Sequence, residues 1–509
     1  MLNVPLNRVE GDLEVRVEVD AGSVVDAWCT GTSFRGFENL LVGRGSLDGL
    51  VLTPRICGLC STAHLTAAAV ALDALGNIEV PANAVMGRNL ALMAEHIQSD
   101  ARQTFLMFAA DLTSAVYRDR PLHAEAVRRY EPFRGTVVAE VLRETRKLLD
   151  IVVGFGGQWP HGSYMVPGGL THVPSRSDIH MFRQRLGRFR AWFERRVLGC
   201  PIERWQAIRS AADLDAWLDE NEAQRDGEVG FLVRFGRELG LDRIGAGHAN
   251  FLSFGALPVP GRSRVHPRAG VDRFIPAGVV KGTASLPFRQ EQVSEHVAHS
   301  WFHDYPGGRH PMDGETRPYA TGEEGEKYSW AKAPRYGDLP AETGPLAEAI
   351  LSRQPLFVDL HRTRGASVLT RQLARIVRAV ELFPAMETWL DELDPDAESC
   401  RAVEDVPDGE AFGLIEAARG ALGHWVKIAS GRIQHYQVIT PTAWNASPRD
   451  AAGVRGPIEE ALIGTPVRDP TDPVELGHVV RSFDPCLVCT VHVLRRGRTV
   501  ARRPAGGVP

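Results

Sequence analysis

The stretch RICGLCSTAH, residues 55–64, sets two cysteines three apart and a histidine four further on, in a chain of 509 residues that holds only seven cysteines. Small and apolar residues follow it (Leu65, Ala67, Ala68, Ala69, Val70, Leu72), so the stretch predicts the opening of a helix. Residues i, i+3 and i+7 share a helical face, and Cys57, Cys60 and His64 would then point the same way. A second pair stands near the other end, in DPCLVCTVH at 484–492, where Cys486, Cys489 and His492 again recur every three residues. Asp484 suits an N-cap there and Pro485 the first helical position. Four thiolates at two helix starts make a soft-metal site. For the two pairs to meet, the ends of the chain must close one core.

Two blander explanations compete. A disulfide framework fits poorly, because seven cysteines are sparse and odd in number and MLNVPLNRVEGD shows no signal-peptide pattern. A structural zinc knot normally joins pairs about 15–20 residues apart, whereas 425 residues separate Cys60 from Cys486. A tetrathiolate zinc site assembled from distant segments stays open on this ground. Cys29, Cys200 and Cys400 are isolated in sequence and read as core or surface thiols.

Composition frames the site. The length suits roughly two to four domains, and 44% hydrophobic with 24% charged residues describes an ordinary globular protein. A net charge of −5 gives no pull toward nucleic acid. No apolar run reaches the roughly 18–20 residues that span a bilayer, so membrane association is expected only through a partner.

DLEVRVEVDAGSVVDAW alternates charged and apolar residues about Ala21, Gly22 and Ser23, which predicts a β-hairpin. Helical periodicity then dominates at 61–75, 83–111, 136–153 and 176–198, a long-helix bundle. Residues 255–345 are rich in Gly, Pro and polar residues, with short β-like pieces such as DRFIPAGVVKG (272–282), and read as an irregular excursion, on the surface or against a neighbour. Helices are predicted again at 366–395 and 408–419, and WVKIASGRIQHYQVI predicts a second hairpin about Ser430 and Gly431. No internal repeat or independent boundary is visible.

Taken together, RxCGxCxxxH and DPCxxCxxH, with RVEGD (8–12), FRGFE (34–38), EAARG (416–420) and PTAWNASPRD (441–450) in order around them, resemble the large, catalytic subunit of nickel–iron hydrogenases over nearly the whole chain. The uptake-type branch is the more similar one. The resemblance implies an α+β fold, a predominantly long-helix bundle with peripheral hairpins. It implies nickel held by Cys57, Cys60, Cys486 and Cys489, and an iron carrying carbon monoxide and cyanide, bridged through Cys60 and Cys489. Heterolytic cleavage of H2 needs a soft metal for the hydride and a base for the proton, and Cys486 is the candidate proton acceptor. His64 would orient a bridging sulfur, and Glu10 matches the family's proton-relay glutamate. Glu38 and His492 match a magnesium or iron site, while Pro441 and Thr442 lie beside a cyanide ligand. Arg419 matches an arginine suspended over the metals. Asp100 falls on the stripe Met86, Leu90, Met93, Ile97, Thr104, where an unpaired carboxylate is costly, so a buried Asp100–Arg419–Asp484 cluster is expected. His161 is a further candidate, facing the partner.

Several positions depart from the commonest pattern: Asp12 for histidine, Ala418 for proline, Thr442 for serine, and ARQTF (101–105) where many members have histidines. The resemblance also implies partners: an iron–sulfur small subunit to carry electrons, nickel-insertion factors and a maturation endopeptidase. The tail VLRRGRTVARRPAGGVP (493–509) carries five arginines and no acid. It reads as a maturation extension cut after His492, leaving 1–492 as a single domain, against the alternative of an ordinary terminus that stays. A cytoplasmic location is expected, with export alongside a partner left open. A low-turnover hydrogen sensor and a metal-free structural homologue are the contrasting functions, the latter disfavoured by the intact cysteines.

Overall fold

The computed structural model describes residues 1–265, 272–322, 325–403 and 405–486. It opens on a three-stranded antiparallel sheet of β1 (Leu2–Leu6), β2 (Leu13–Asp20) and β3 (Ser23–Gly31). Leu13, Val15 and Val17 turn inward while Glu14 and Arg16 between them stay half-exposed, as their alternation predicts. Asp20 pairs with Ser23 across Ala21 and Gly22, whose φ values of 46° and 80° are the two positive angles of a type I′ turn.

The principal helices of the first half are α1 (Ser61–Leu75), α2 (Ala82–Arg102), α3 (Thr136–Leu148) and α4 (Arg176–Trp192). The 83–111 expectation overruns α2, which gives way to a π-helical turn at Gln103–Phe108 and a 3₁₀ stretch at Ala109–Thr113. The β-like piece at 272–282 is β5 (Arg273–Lys281), which pairs with β4 (Asn250–Pro258), a strand that begins ahead of the irregular stretch, runs into it and is buried in all but its last residue. Sequence reading missed β4, whose burial on both faces leaves no alternation to read. Helix α5 (Val368–Glu392) packs against α2.

The helix expected at 408–419 is a strand. Here β6 (Gly409–Ala417), β7 (Gly420–Ala429) and β8 (Arg432–Ile439) form a second antiparallel sheet. GEAFGLIEA is rich in helix formers, but tertiary packing overrides propensity. Glu410 and Phe412 are exposed while Ala411 and Gly413 are buried, and a Cβ at Gly413 would stand 1.9 Å from the Ala67 carbonyl oxygen of α1. Glycine lets the strand lie directly on the helix that follows the first cysteine pair. The predicted turn at Ser430 and Gly431 is present, with φ of 54° and 66°. Then come α6 (Pro441–Asn445) and α7 (Val474–Ser482).

The two ends of the chain meet. Glu10 and Cys486 pair as an isolated parallel bridge, and one continuous apolar cluster includes both Leu6 and Cys486. The architecture is α+β, as expected. Among the described residues no helix is long and apolar enough to cross a membrane.

Candidate metal centre

A single 3₁₀ turn at Thr53–Arg55 precedes the first cysteine pair, and α1 begins only at Ser61, with Cys60 as its N-cap. Cys57 therefore lies in the connecting turn, and the predicted common helical face holds only for Cys60 and His64. The cause is a cap that sequence reading missed. Cys60 makes no side-chain cap, and the buried Glu95 carboxylate of α2 accepts from the Thr62 and Ala63 amides at 2.9 and 3.1 Å, fixing the helix start. Arg35 donates to the Arg55 and Ile56 carbonyls, each at 2.7 Å, and anchors the turn from the other side.

At the other end Asp484 has φ +55°, not the extended backbone of an N-cap. Its carboxylate is engaged by arginines instead. The Cys486 amide donates to Thr442 Oγ1 at 2.9 Å. Cys57 Sγ and Cys486 Sγ are 3.3 Å apart, far beyond an S–S bond of about 2.0 Å. The ligand atoms of Cys57, Cys60 and Cys486 all lie within 4.8 Å of one another, and all three residues are buried. Cys489 and His492 lie outside the described residues.

Over this cluster stands Arg419. Its Nε lies 3.2 Å from Asp484 Oδ2 and donates to the Asp484 carbonyl at 3.1 Å. Burial works against its charge, yet Asp484 and the thiolates of Cys486, Cys57 and Cys60 hold the guanidinium firmly protonated. Its Nη1 is buried without a hydrogen-bond partner among the described residues.

The expected Asp100–Arg419–Asp484 triad takes a different form, because α5 inserts two more arginines. Arg378 forks onto Asp100 at 2.8 and 2.9 Å, and its other nitrogen reaches Glu348 at 2.8 Å. Arg378 also donates to the Ala418 carbonyl at 2.8 Å, next to Arg419. Arg375 bridges, with Nη1 3.7 Å from Asp100 and 3.4 Å from Asp484. Burial lifts the Asp100 carboxyl to about 6 despite Arg378 and Arg375, and burial likewise raises Asp484. Three carboxylates and three guanidiniums thus share one dry cluster. The signal was present in VLTRQLARIVRAV, where Arg371, Arg375 and Arg378 recur at helical spacing on an otherwise apolar helix. Arg378→Met leaves Asp100 and Glu348 without their shared cation, and unfolding stability is expected to drop by about 3–5 kcal/mol. The urea midpoint of the purified complex measures this, and adding Asp100→Asn and Glu348→Gln is expected to restore most of it.

The remaining candidates divide. Glu10 is half-buried beside Cys486, its carboxyl raised by burial and by Cys57 and Asp484 against the pull of Arg419. His64 is buried and neutral, with a pKa lowered to about 4 by burial. Pro441 opens α6, which places Thr442 on the Cys486 amide. His161 meets the 3₁₀ turn, its Nδ1 2.9 Å from the Pro54 carbonyl. Asp12 is exposed. Glu38 lines a separate pocket of about 60 Å³ with Glu295 and Lys332. It accepts from Thr316 and from the Val438 amide, and Lys332 lies 3.9 Å away.

Three clustered, buried cysteine sulfurs under a fixed guanidinium are a donor set for a soft metal. The profile of the nickel-dependent hydrogenase family matches residues 35–116 and 237–492. The chain belongs to that family: it is a hydrogenase large subunit, an oxidoreductase acting on hydrogen, and its described thiols fit a nickel–iron centre. It is 34% identical to the periplasmic [NiFeSe] hydrogenase large subunit of Desulfomicrobium baculatum, over 96% of this chain and 94% of that one. It is 29% identical to the uptake hydrogenase large subunit of Rhodobacter capsulatus, over 96% and 94%. The solved structure of the Dm. baculatum [NiFeSe]-hydrogenase superposes with a TM-score of 0.82 at 32% identity, covering 96% of this chain and 99% of that one.

Proposed function

We propose that this large subunit oxidises H2 in the uptake direction and passes the electrons to an iron–sulfur small subunit. The convergence of Cys57, Cys60 and Cys486 from the two ends of the chain beneath Arg419 carries this reading. Cys57, Cys60, Cys486 and Cys489 would hold the nickel–iron centre as its thiolate ligands. When bound, the centre, with carbon monoxide and cyanide on iron, supplies the soft electron-rich partner for heterolytic cleavage of H2.

The chain's own residues handle the proton and the charge. Cys486 Sγ accepts the proton and Glu10, whose backbone pairs with Cys486, takes it onward. Arg419, held by Asp484 and by the cluster running through Arg375 to Asp100, keeps a fixed positive charge over the site. Pro441 and Thr442, the latter held on the Cys486 amide, would contact the small ligands on iron, and His64 would support the Cys60 sulfur. Glu38, with His492, would take a magnesium ion, which would share the Glu38 carboxylate with the Lys332 ammonium 3.9 Å away. Cys29, Cys200 and Cys400 join no ligand cluster among the described residues, which supports electron exit through the partner. The subunit is made in the cytoplasm and reaches a membrane or another compartment only with that partner. Nickel and iron in the purified complex, with hydrogen-dependent dye reduction, are the expected results; zinc alone in active material would refute the reading.

We place the mature domain at 1–492 and assign 493–509 to maturation, removed by an endopeptidase after nickel insertion. The five arginines of the tail follow within a few residues of cysteines that must be shielded from water. Intact mass of the active large subunit is expected to end at His492. A nickel-loaded subunit ending at Pro509 overturns the assignment.

A further inference from the structure

His64 is one end of a buried chain that leads away from the cysteines. Its Nδ1 lies 3.1 Å from Nε2 of His424 on β7, and Nδ1 of His424 lies 2.9 Å from the Tyr436 hydroxyl on β8. All three side chains are buried. Tyr436 is wedged against Gly49, where an added Cβ would stand 3.3 Å from the phenol ring. At the near end, Nε2 of His64 is buried without a hydrogen-bond partner among the described residues, and the Cys57 thiolate is the negative group acting on the ring.

We infer that Tyr436 and His424 are positioning residues that set the tautomer of His64, so that its Nε2 carries the proton and donates to the thiolate cluster. This rests on the reading of that cluster as the metal site, and it adds two residues and a direction.

The direction follows from counting protons. Both rings are buried, and the 3.1 Å contact between His64 Nδ1 and His424 Nε2 sets one N–H against one lone pair, as two neutral imidazoles, each with one of either, supply. Two arrangements of the chain are then possible. In one, Tyr436 O–H donates to His424 Nδ1, His424 Nε2–H donates to His64 Nδ1, and His64 Nε2–H faces the thiolates. In the other, every bond reverses. The Tyr436 proton, which burial holds on the phenol, is then left without an acceptor, and a lone pair on His64 Nε2 faces thiolate sulfur. Both ends of the chain favour the first arrangement, and successive hydrogen bonds polarise one another in the same sense. The donated bond withdraws charge from a ligand sulfur and fixes its orientation, as outer groups do at metal sites.

Tyr436→Phe keeps the ring packed on Gly49 and removes only the hydroxyl that sets the direction. Metal content of the purified heterodimer is expected to stay at the wild-type level. The infrared bands of the carbon monoxide and cyanide on iron are expected to shift to lower frequency, as a sulfur that loses its hydrogen bond donates more charge. Neutron diffraction from the deuterated wild-type heterodimer should show deuterium on Nε2 of both His64 and His424. Unshifted bands at full metal content, or deuterium on Nδ1 of His64, overturns the inference. If the variant does not assemble, the neutron map decides alone. Wild-type complex without nickel and iron would instead refute the reading of the metal site, and metal analysis detects this before either measurement.

Discussion

Serine at Cys60, and equally at Cys57, Cys486 or Cys489, is expected to bring nickel in the purified complex to background and to abolish hydrogen-dependent dye reduction. A thiol with an ordinary pKa near about 8.5 gives up its proton to a soft metal, whereas an alcohol keeps its own and offers a hard oxygen in place of a polarisable sulfur. The fold does not explain such a loss. One sulfur-to-oxygen exchange in a buried position costs about 1–3 kcal/mol for the poorly satisfied hydroxyl, a fraction of what a core of this size holds. Cys29→Ser is the matched control. Cys29 is fully buried on β3, outside the thiol cluster, so serine there carries a similar burial cost but is expected to leave metal content and turnover intact. Full nickel in Cys60→Ser, or loss of nickel in Cys29→Ser as well, would remove the distinction between ligand and core thiol on which the site rests.

The part of this site that the sequence declares is the part whose chemistry is local. Two cysteine pairs, their histidines and the short stretches around them can be recognised because a soft metal demands those residue types at close spacing. The hairpins at Ala21–Gly22 and Ser430–Gly431 are legible for a similar reason: alternation on both sides and a two-residue turn with positive φ leave little choice. What stays hidden depends on partners far away in the chain. Glu95 caps α1 from α2, and nothing near Cys60 announces it. Arg378 meets Asp100 from 278 positions on, so the sequence supplies a costly carboxylate and an unexplained arginine without the means to join them. GEAFGLIEA reads as helix because its residues favour helix; it is a strand because Gly413 must let it pass against Ala67. Cys57 leaves the predicted helical face because the capping carboxylate sets where that helix starts. In each case a long-range contact outweighed a local preference worth a few tenths of a kcal/mol to about 1 kcal/mol per residue.

Glu10→Gln is expected to lower hydrogen oxidation by about 10²- to 10⁴-fold while leaving nickel and iron in place. Glutamine matches glutamate in shape and retains its hydrogen-bonding capacity, so the bridge between residue 10 and Cys486, which uses only backbone, is undisturbed. What it lacks is a site to receive a proton. If Glu10 carries the proton away from Cys486 Sγ, each turnover must then wait for a slower route, and the loss falls on the rate with assembly unaffected. Glu10→Asp makes the complementary case: it keeps the acid but withdraws it by one methylene, and is expected to recover part of the lost rate because proton transfer depends first on reach. The alternative role for Glu10 is electrostatic, as a negative charge that balances the nearby Arg419, whose influence its carboxyl already feels. On that view Glu10→Asp restores the charge and with it nearly the full rate, and Glu10→Gln disturbs metal binding together with turnover. Metal content and hydrogen-dependent dye reduction, measured on both variants, separate the two roles. A wild-type rate in Glu10→Gln would remove this residue from the proton route altogether.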